Sequence, residues 1–239
     1  MFSSQLTCVS AYFRTHNKHG DKFNDWFENT LSINCPYVFF VNKESAEIVK
    51  RFRGALPTFY VELELNEFYT FAAKDKMRTH STHCPSIELN LIWNEKIFMM
   101  QRALQLNPFG SEWFKWIDAG ICIFRDTPPP PRTIPFPKYP ETLNALPKDK
   151  FLFSTSTKHF NPHFVQPSNY YHFVSGTSYI LHSSMIDEFA AMYKEYFDRL
   201  VDGNNIWTDQ VIWTHIYKDF PHRFYRVCDG YGELTRFLF

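Results

Sequence analysis

The first 65 residues constrain the fold more than any other part of the chain. Three short apolar runs, Leu6 to Phe13, Tyr37 to Val41 and Phe59 to Leu65, are rich in aromatic and β-branched residues and alternate with two stretches of helical periodicity. Runs of that length that are apolar at nearly every position suit strands buried on both faces, and a β-α-β-α-β order lays them parallel beneath covering helices. Asp21 is placed to cap the first helix, on which Phe23, Trp26, Phe27, Thr30 and Leu31 share a face. The second helix spans Lys43 to Phe52 and stops before Gly54.

Beyond this block, residues 66–85 read as irregular. Ser86 to Leu106 forms a helix that is apolar around much of its circumference and ends at Asn107-Pro108 with Gly110. Trp113 to Phe124 reads as a strand interrupted by Asp118-Ala119-Gly120, and Phe151 to Ser154 as a short strand. Phe173 to Leu181 reads as two strands hinged at Gly176. Helices follow at Ser184 to Leu200, broken by Gly203-Asn204-Asn205, and at Asp209 to Tyr217, then a last strand at Arg223 to Val227 and an aromatic tail. The proline-rich stretch 127–147 reads as an insertion, because apolar segments resume after it without a change in composition. The expectation is a single α/β domain over 1–239: a central, mostly parallel sheet flanked by helices, with a smaller sheet in the second half.

Charge and composition remove several function classes. Lys+Arg and Asp+Glu both number 25, and the basic residues form no stripe, so nucleic acid is not an expected partner. GxGxxG, GxxxxGK[ST] and GxSxG are all missing. Five cysteines, an odd number with no CxxC pair, suit free thiols in a reducing compartment and disfavour zinc. Met1 to Phe13 has neither a basic start nor a long apolar core, and no run approaches the roughly 20 apolar residues of a membrane span, so a soluble cytoplasmic protein without a transmembrane segment is expected. Aromatic residues make up 19% of the chain, which fits either a Phe-rich core or a pocket with aromatic walls.

Four places break the apolar pattern of their element. Asp118 interrupts a strand, where an ionised carboxylate is costly unless it is paired, binds a metal or caps a turn. Lys96 lies on the apolar stripe of its helix, three residues after Trp93 and four before Met100, so its ammonium either snorkels to solvent or meets an anion. Asp209 with Gln210 opens an apolar helix, as a dipole-favoured first-turn acid or as a general base. Ser175-Gly176-Thr177 is a small-residue break that suits either a bulge or a floor for a ligand ring. The histidines, among them His80, His83, His215 and His222, show no metal-ligand spacing; His80 and His83 share a weakly basic segment with Lys76 and Arg78.

The stretch Trp93-Asn94-Glu95-Lys96-Ile97-Phe98, then Asn107-Pro108-Phe109, then Phe114-Lys115-Trp116-Ile117-Asp118-Ala119-Gly120 resembles the HtrL/YibB-like family, sugar transferases of bacterial surface-polysaccharide loci with relatives in large DNA viruses. The resemblance extends to Ala11-Tyr12-Phe13, the Gly176 strand and the Asp209-Gln210 helix, and is most specific over Trp116 to Gly120.

The resemblance implies a GT-A-like glycosyltransferase moving a sugar from a nucleotide-sugar donor, a UDP-sugar by expectation, to a glycan or glycoprotein acceptor. Residues 1–125 would form the nucleotide-sugar half and 126–239 the acceptor half. Ala11, Tyr12, Phe13 and Arg14 would hold base and ribose, and Lys96 would neutralise the diphosphate. Asp118, with Ala119 and Gly120, would meet the donor and a divalent metal, Mn²⁺ by expectation. Ser175, Gly176, Thr177 and Gln210 would line the sugar and acceptor pocket, and Asp209 would be the base. Gly120 stands where the second acid of a DxD motif belongs, so further metal ligands would come from elsewhere, with His215, His222 and Asp229 as candidates. The competing expectation is a non-catalytic carbohydrate- or nucleotide-binding module.

Overall fold

The computed structural model describes residues 5–156, 172–203, 206 and 208–239. Its centre is a seven-stranded sheet in the order β3-β2-β1-β4-β6-β5-β7. The strands are β1 (Leu6–Tyr12), β2 (Tyr37–Val41), β3 (Thr58–Glu62), β4 (Trp113–Ile117), β5 (Phe151–Thr155), β6 (Val174–His182) and β7 (Phe224–Asp229). Only β6 runs against the others: it pairs antiparallel with both β4 and β5, whereas the β1, β2, β3 and β4 pairings and the β5–β7 pairing are parallel. The chain is therefore α/β with a mostly parallel sheet. The strands expected as a separate, smaller sheet extend the central one instead, through the β4–β6 hydrogen bonds.

Two apolar layers cover the sheet, and the two-residue period of each strand decides which layer a side chain joins. Phe114 and Trp116 of β4 face the layer that holds α3 (Ile87–Leu106), α5 (Ser183–Val201) and α6 (Asp209–Asp219). Trp113 and Ile117 face the opposite layer, where α1 (Phe23–Thr30), α2 (Lys43–Arg53) and the tail pack. The proline-rich insertion belongs to this second layer: Phe136, Leu143 and Leu146 are buried, the latter two around the short α4 (Pro140–Asn144). A last helical turn, α7 (Glu233–Arg236), buries Leu234 there.

Local chemistry sets the helix ends. Ser86 accepts a hydrogen bond from the Leu89 amide at 3.2 Å and caps α3. Asn42 does the same for α2, accepting from Ser45 N at 2.9 Å. Gly54 closes α2 with a positive φ of 55°. Asp21 does not cap α1; it lies in a 3₁₀ turn, Gly20–Lys22, that leads straight into the helix. The third strand stops at Glu62, because Glu64 and Glu67 form a reciprocal capping box around a 3₁₀ turn at Leu65–Glu67. The segment read as irregular contains a longer 3₁₀ stretch, Tyr69–Lys76.

Two strand readings need correction. The run from Trp113 leaves the sheet after Ile117, and Cys122–Phe124 is a 3₁₀ turn. Gly176 does not hinge two strands; Val174–His182 is one strand. The break after α5 falls partly on Asn204–Asn205, outside the described residues. All five cysteines are free. Among the described residues no helix is long and apolar enough to cross a membrane.

Candidate active site

In a mostly parallel sheet, side chains just past the carboxyl ends of the strands face open space, where helices enter and leave. Here a cavity of about 520 Å³ lies at that edge, formed by the ends of β1 and β4, the start of β6, one face of α3 and the first turn of α6. Ala11, Tyr12, Phe13, Lys96, Asp118, Ala119, Gly120, Gly176, Thr177, Asp209 and Gln210 all contribute to its wall.

At its floor, Lys96 reaches from the middle of α3 into a ring of three acceptors. Its Nζ is 3.0 Å from Asp118 Oδ1 and 3.3 Å from Asp209 Oδ2, and it donates a 2.9 Å hydrogen bond to the Gly176 carbonyl. The ammonium is buried, so snorkelling is excluded. Burial alone would push its proton off, but the two carboxylates outweigh that cost and raise its pKa. The Asp209 contact is a charge pairing without hydrogen-bond alignment, since Oδ2 has no hydrogen-bond partner among the described residues.

The carboxylates differ in environment. The Asp118 amide donates to Thr177 O at 3.0 Å, and its Oδ1 also accepts from Trp116 Nε1 at 2.8 Å, so strand pairing and the indole both orient it. Its side chain keeps 29% of its exposure, and Oδ2 takes no hydrogen bond from the described residues. Asp209 is buried at the start of α6, accepting from Thr208 Oγ1 at 3.1 Å. Burial pushes its carboxyl above the usual range, Lys96 pulls it back, and the Asp118 charge adds to the rise.

Two glycines make this geometry possible through lack of bulk. A Cβ on Gly176 would lie 2.5 Å from Asp209 Oδ2 and 2.7 Å from Oδ1. The missing side chain thus admits the carboxylate against the strand; no backbone hinge is involved. At Gly120 a Cβ would meet the Phe23 ring at 2.6 Å. The position of a second DxD acid is occupied by an aromatic ring.

Other expected residues lie elsewhere. Arg14 is outside the cavity, paired with Glu44 at 3.2 Å beside a smaller neighbouring cleft. Ser175 is buried in β6 and shares a 2.9 Å hydroxyl contact with Thr177. His215, His222 and Asp229 do not line the cavity, and Asp229 accepts from Thr155 Oγ1 at 2.8 Å. Of the weakly basic segment, His83 reaches the cavity, whereas Lys76 pairs with Asp202 on the surface.

No group of three or more His, Cys, Asp or Glu among the described residues is arranged to hold a metal. Asp118 Oδ2 offers one oxygen. That fits a divalent ion only in the manner of ions completed by substrate phosphates, where the protein supplies one or two carboxylates and the ligand the rest.

Several cavity residues carried no signal in the sequence. Lys18, His19 and Arg125 come from loops and stand at the mouth, and Tyr231 of the tail closes one side; Leu89, Ile92 and Trp93, read from the sequence only as the stripe of α3 and, for Trp93, as part of the family motif, form an apolar wall. Tyr231 donates to Gln210 Oε1 at 2.5 Å, which ties the tail to α6.

A match to the HtrL_YibB family, described as bacterial protein of unknown function, runs from residue 58 to residue 237. The chain belongs to the HtrL_YibB family. The HtrL_YibB match takes in β3 to α7, and with them Lys96, Asp118, Gly176 and Asp209, but not β1 and the loop carrying Lys18. No curated protein matches the chain. A solved structure similar to it is 4-diphosphocytidyl-2C-methyl-D-erythritol synthase from Anaerococcus prevotii, 13% identical, with a TM-score of 0.43 over 94% of this chain and 88% of that one.

Proposed function

We propose that this protein is a GT-A-like glycosyltransferase that moves a sugar from a nucleotide-sugar donor, a UDP-sugar, to a hydroxyl of a glycan or glycoprotein. The observation that carries the reading is the pair of carboxylates bridged by one buried ammonium on the floor of a cavity at the carboxyl ends of parallel strands. In sugar transfer the acceptor oxygen bonds to the anomeric carbon, the bond from that carbon to the diphosphate breaks, and the acceptor proton needs a base.

Asp209 is that base. Its raised pKa makes it a stronger proton acceptor than an ordinary aspartate, and Lys96 pulls it back toward the ionised form. Asp118, oriented by Trp116 and Lys96, presents its open oxygen to the donor. Ala11, Tyr12 and Phe13, at the end of β1, suit base and ribose, and Gly176, Thr177 and Gln210 the sugar. A divalent ion such as Mn²⁺, held by Asp118 together with donor phosphates, would add neutralisation of the leaving diphosphate.

The test is donor hydrolysis across common nucleotide sugars with wild type and Asp118→Asn. Turnover of one donor, lowered about a hundredfold or more in the folded variant, is expected. Nucleotide binding without turnover of any donor, with or without a glycan, would replace this reading by the non-catalytic module.

A further inference from the structure

Lys96 is surrounded by protein acceptors, and the floor of the site, two carboxylates around one ammonium, carries a net negative charge if all three are ionised. With no cation between them, a phosphate settling directly on that floor would be repelled. The cations able to receive it stand at the mouth.

Arg125 lies just beyond the 3₁₀ turn that follows β4. Its Nε donates to the Gly120 carbonyl at 2.9 Å, and its guanidinium stacks 4.0 Å over the Trp26 ring. These contacts fix the plane of the group and leave its terminal amines without a hydrogen bond or ion pair among the described residues. Lys18, from the loop after β1, borders the same cavity and also has no ion-pair partner among the described residues. Next to Lys18 in the chain, His19 packs edge-on to Trp26 at 4.9 Å, the same ring that Arg125 stacks over.

The cations are close enough to feel one another. Partial desolvation, then the Arg125 charge, pulls the Lys18 ammonium below its ordinary value. His19 is held at about 4 by desolvation, then by Arg125, Lys18 and Lys22. Asp118 acts on both cations and Asp126 on Arg125, but neither carboxylate forms an ion pair with them among the described residues, and like charges held together without such a pair cost free energy that a bound anion recovers. The fixed fork of an arginine beside a mobile lysine suits an anion with several oxygens at different angles.

We propose that Lys18 and Arg125, braced by Trp26, form a clamp for the diphosphate of a nucleoside diphosphate, one that binds it without a metal ion. The clamp places the phosphates at the mouth and the transferred group over Asp118 and Asp209. The identity of the anion as part of a nucleotide rests on the function proposed above; the anion site itself does not.

The experiment is calorimetric titration in EDTA with inorganic pyrophosphate, UDP and uridine, against wild type, Lys18→Gln and Arg125→Gln. Pyrophosphate and UDP are expected to bind wild type. Each variant should lose about tenfold or more in affinity for both, in keeping with one charge-assisted contact removed. Lys18 is exposed and makes no ion pair among the described residues, so its variant is expected to keep the fold and decides the matter if Arg125→Gln is unstable. Pyrophosphate binding that fails in wild type, or that is untouched in Lys18→Gln, overturns the clamp. Loss of pyrophosphate binding in the variants without turnover of any nucleotide sugar by wild type leaves the clamp standing and removes the transferase.

Discussion

At the scale of single residues, the site depends on an atom that is missing. Gly176 lets Asp209 lie against β6, and a methyl group there would overlap both carboxylate oxygens. Gly176→Ala is therefore expected to push Asp209 off Lys96 and to lower donor turnover about a hundredfold, the usual result of a displacement near 1 Å in a reacting group. Turnover at the wild-type rate would show that Asp209 is not held for catalysis. The residues of the floor were legible in the sequence because each violates its element: a lysine on an apolar stripe, an aspartate inside a strand, small residues in an aromatic run. Lys18, His19 and Arg125 were not, because a charged residue in a loop violates nothing. Only folding brings the loop after β1 and the turn after β4 to one opening. Gly120 was visible as a departure from DxD, but its reason, the Phe23 ring, comes from a helix almost a hundred residues away.

At the scale of elements, α3 carries more than its apolar stripe suggests. Asn90, Asn94, Glu95 and Lys96 are all buried, and each has a structural partner. Asn94 accepts from Tyr193 at 2.7 Å and so joins α3 to α5. Glu95 accepts from the amides of Tyr69 and Thr70, both at 3.0 Å, and from Thr70 Oγ1 at 2.9 Å, pinning the 3₁₀ stretch to the helix. Burial outweighs these bonds and lifts its carboxyl from 4.5 to about 7. A folded-state value above the unfolded one means that the folded chain holds the proton more tightly. The contribution is full below pH 4.5 and is lost as the pH rises to about 7. The loss is about 3 kcal/mol at most. His19 and His172, both held at about 4 chiefly by desolvation, give a slope of opposite sign, so the quantity to read is the difference between wild type and Glu95→Gln. Chemical denaturation at several pH values should show wild type losing stability relative to Glu95→Gln across that window. A constant difference would mean that Glu95 titrates as an ordinary glutamate. The helices were legible from period and caps. The strand ends were less so, since leaving the sheet at Ile117 or Glu62 is decided by capping and by contacts that no apolar run encodes.

At the scale of the whole molecule, the sheet joins the two halves read from the sequence. β4 is bonded on one side to β1 and on the other to β6, and α3, which covers β1 and β4, packs its other side on α5 of the second half. A fragment of residues 1–125 would present an unpaired strand and an uncovered apolar face. It is expected to show no cooperative thermal transition by circular dichroism; a sharp transition would mean that the first half folds alone. The same joint brings the reversed strand β6 to the cavity, where Lys96 meets the oxygen of a peptide bond at Gly176 as well as two acids. Replacing residue 176 changes its bulk but leaves that oxygen in the chain. A scan of amino-acid replacements would thus miss one of the lysine's three contacts. Amide-to-ester exchange by chemical synthesis, which weakens the carbonyl as an acceptor while keeping every side chain, would expose it.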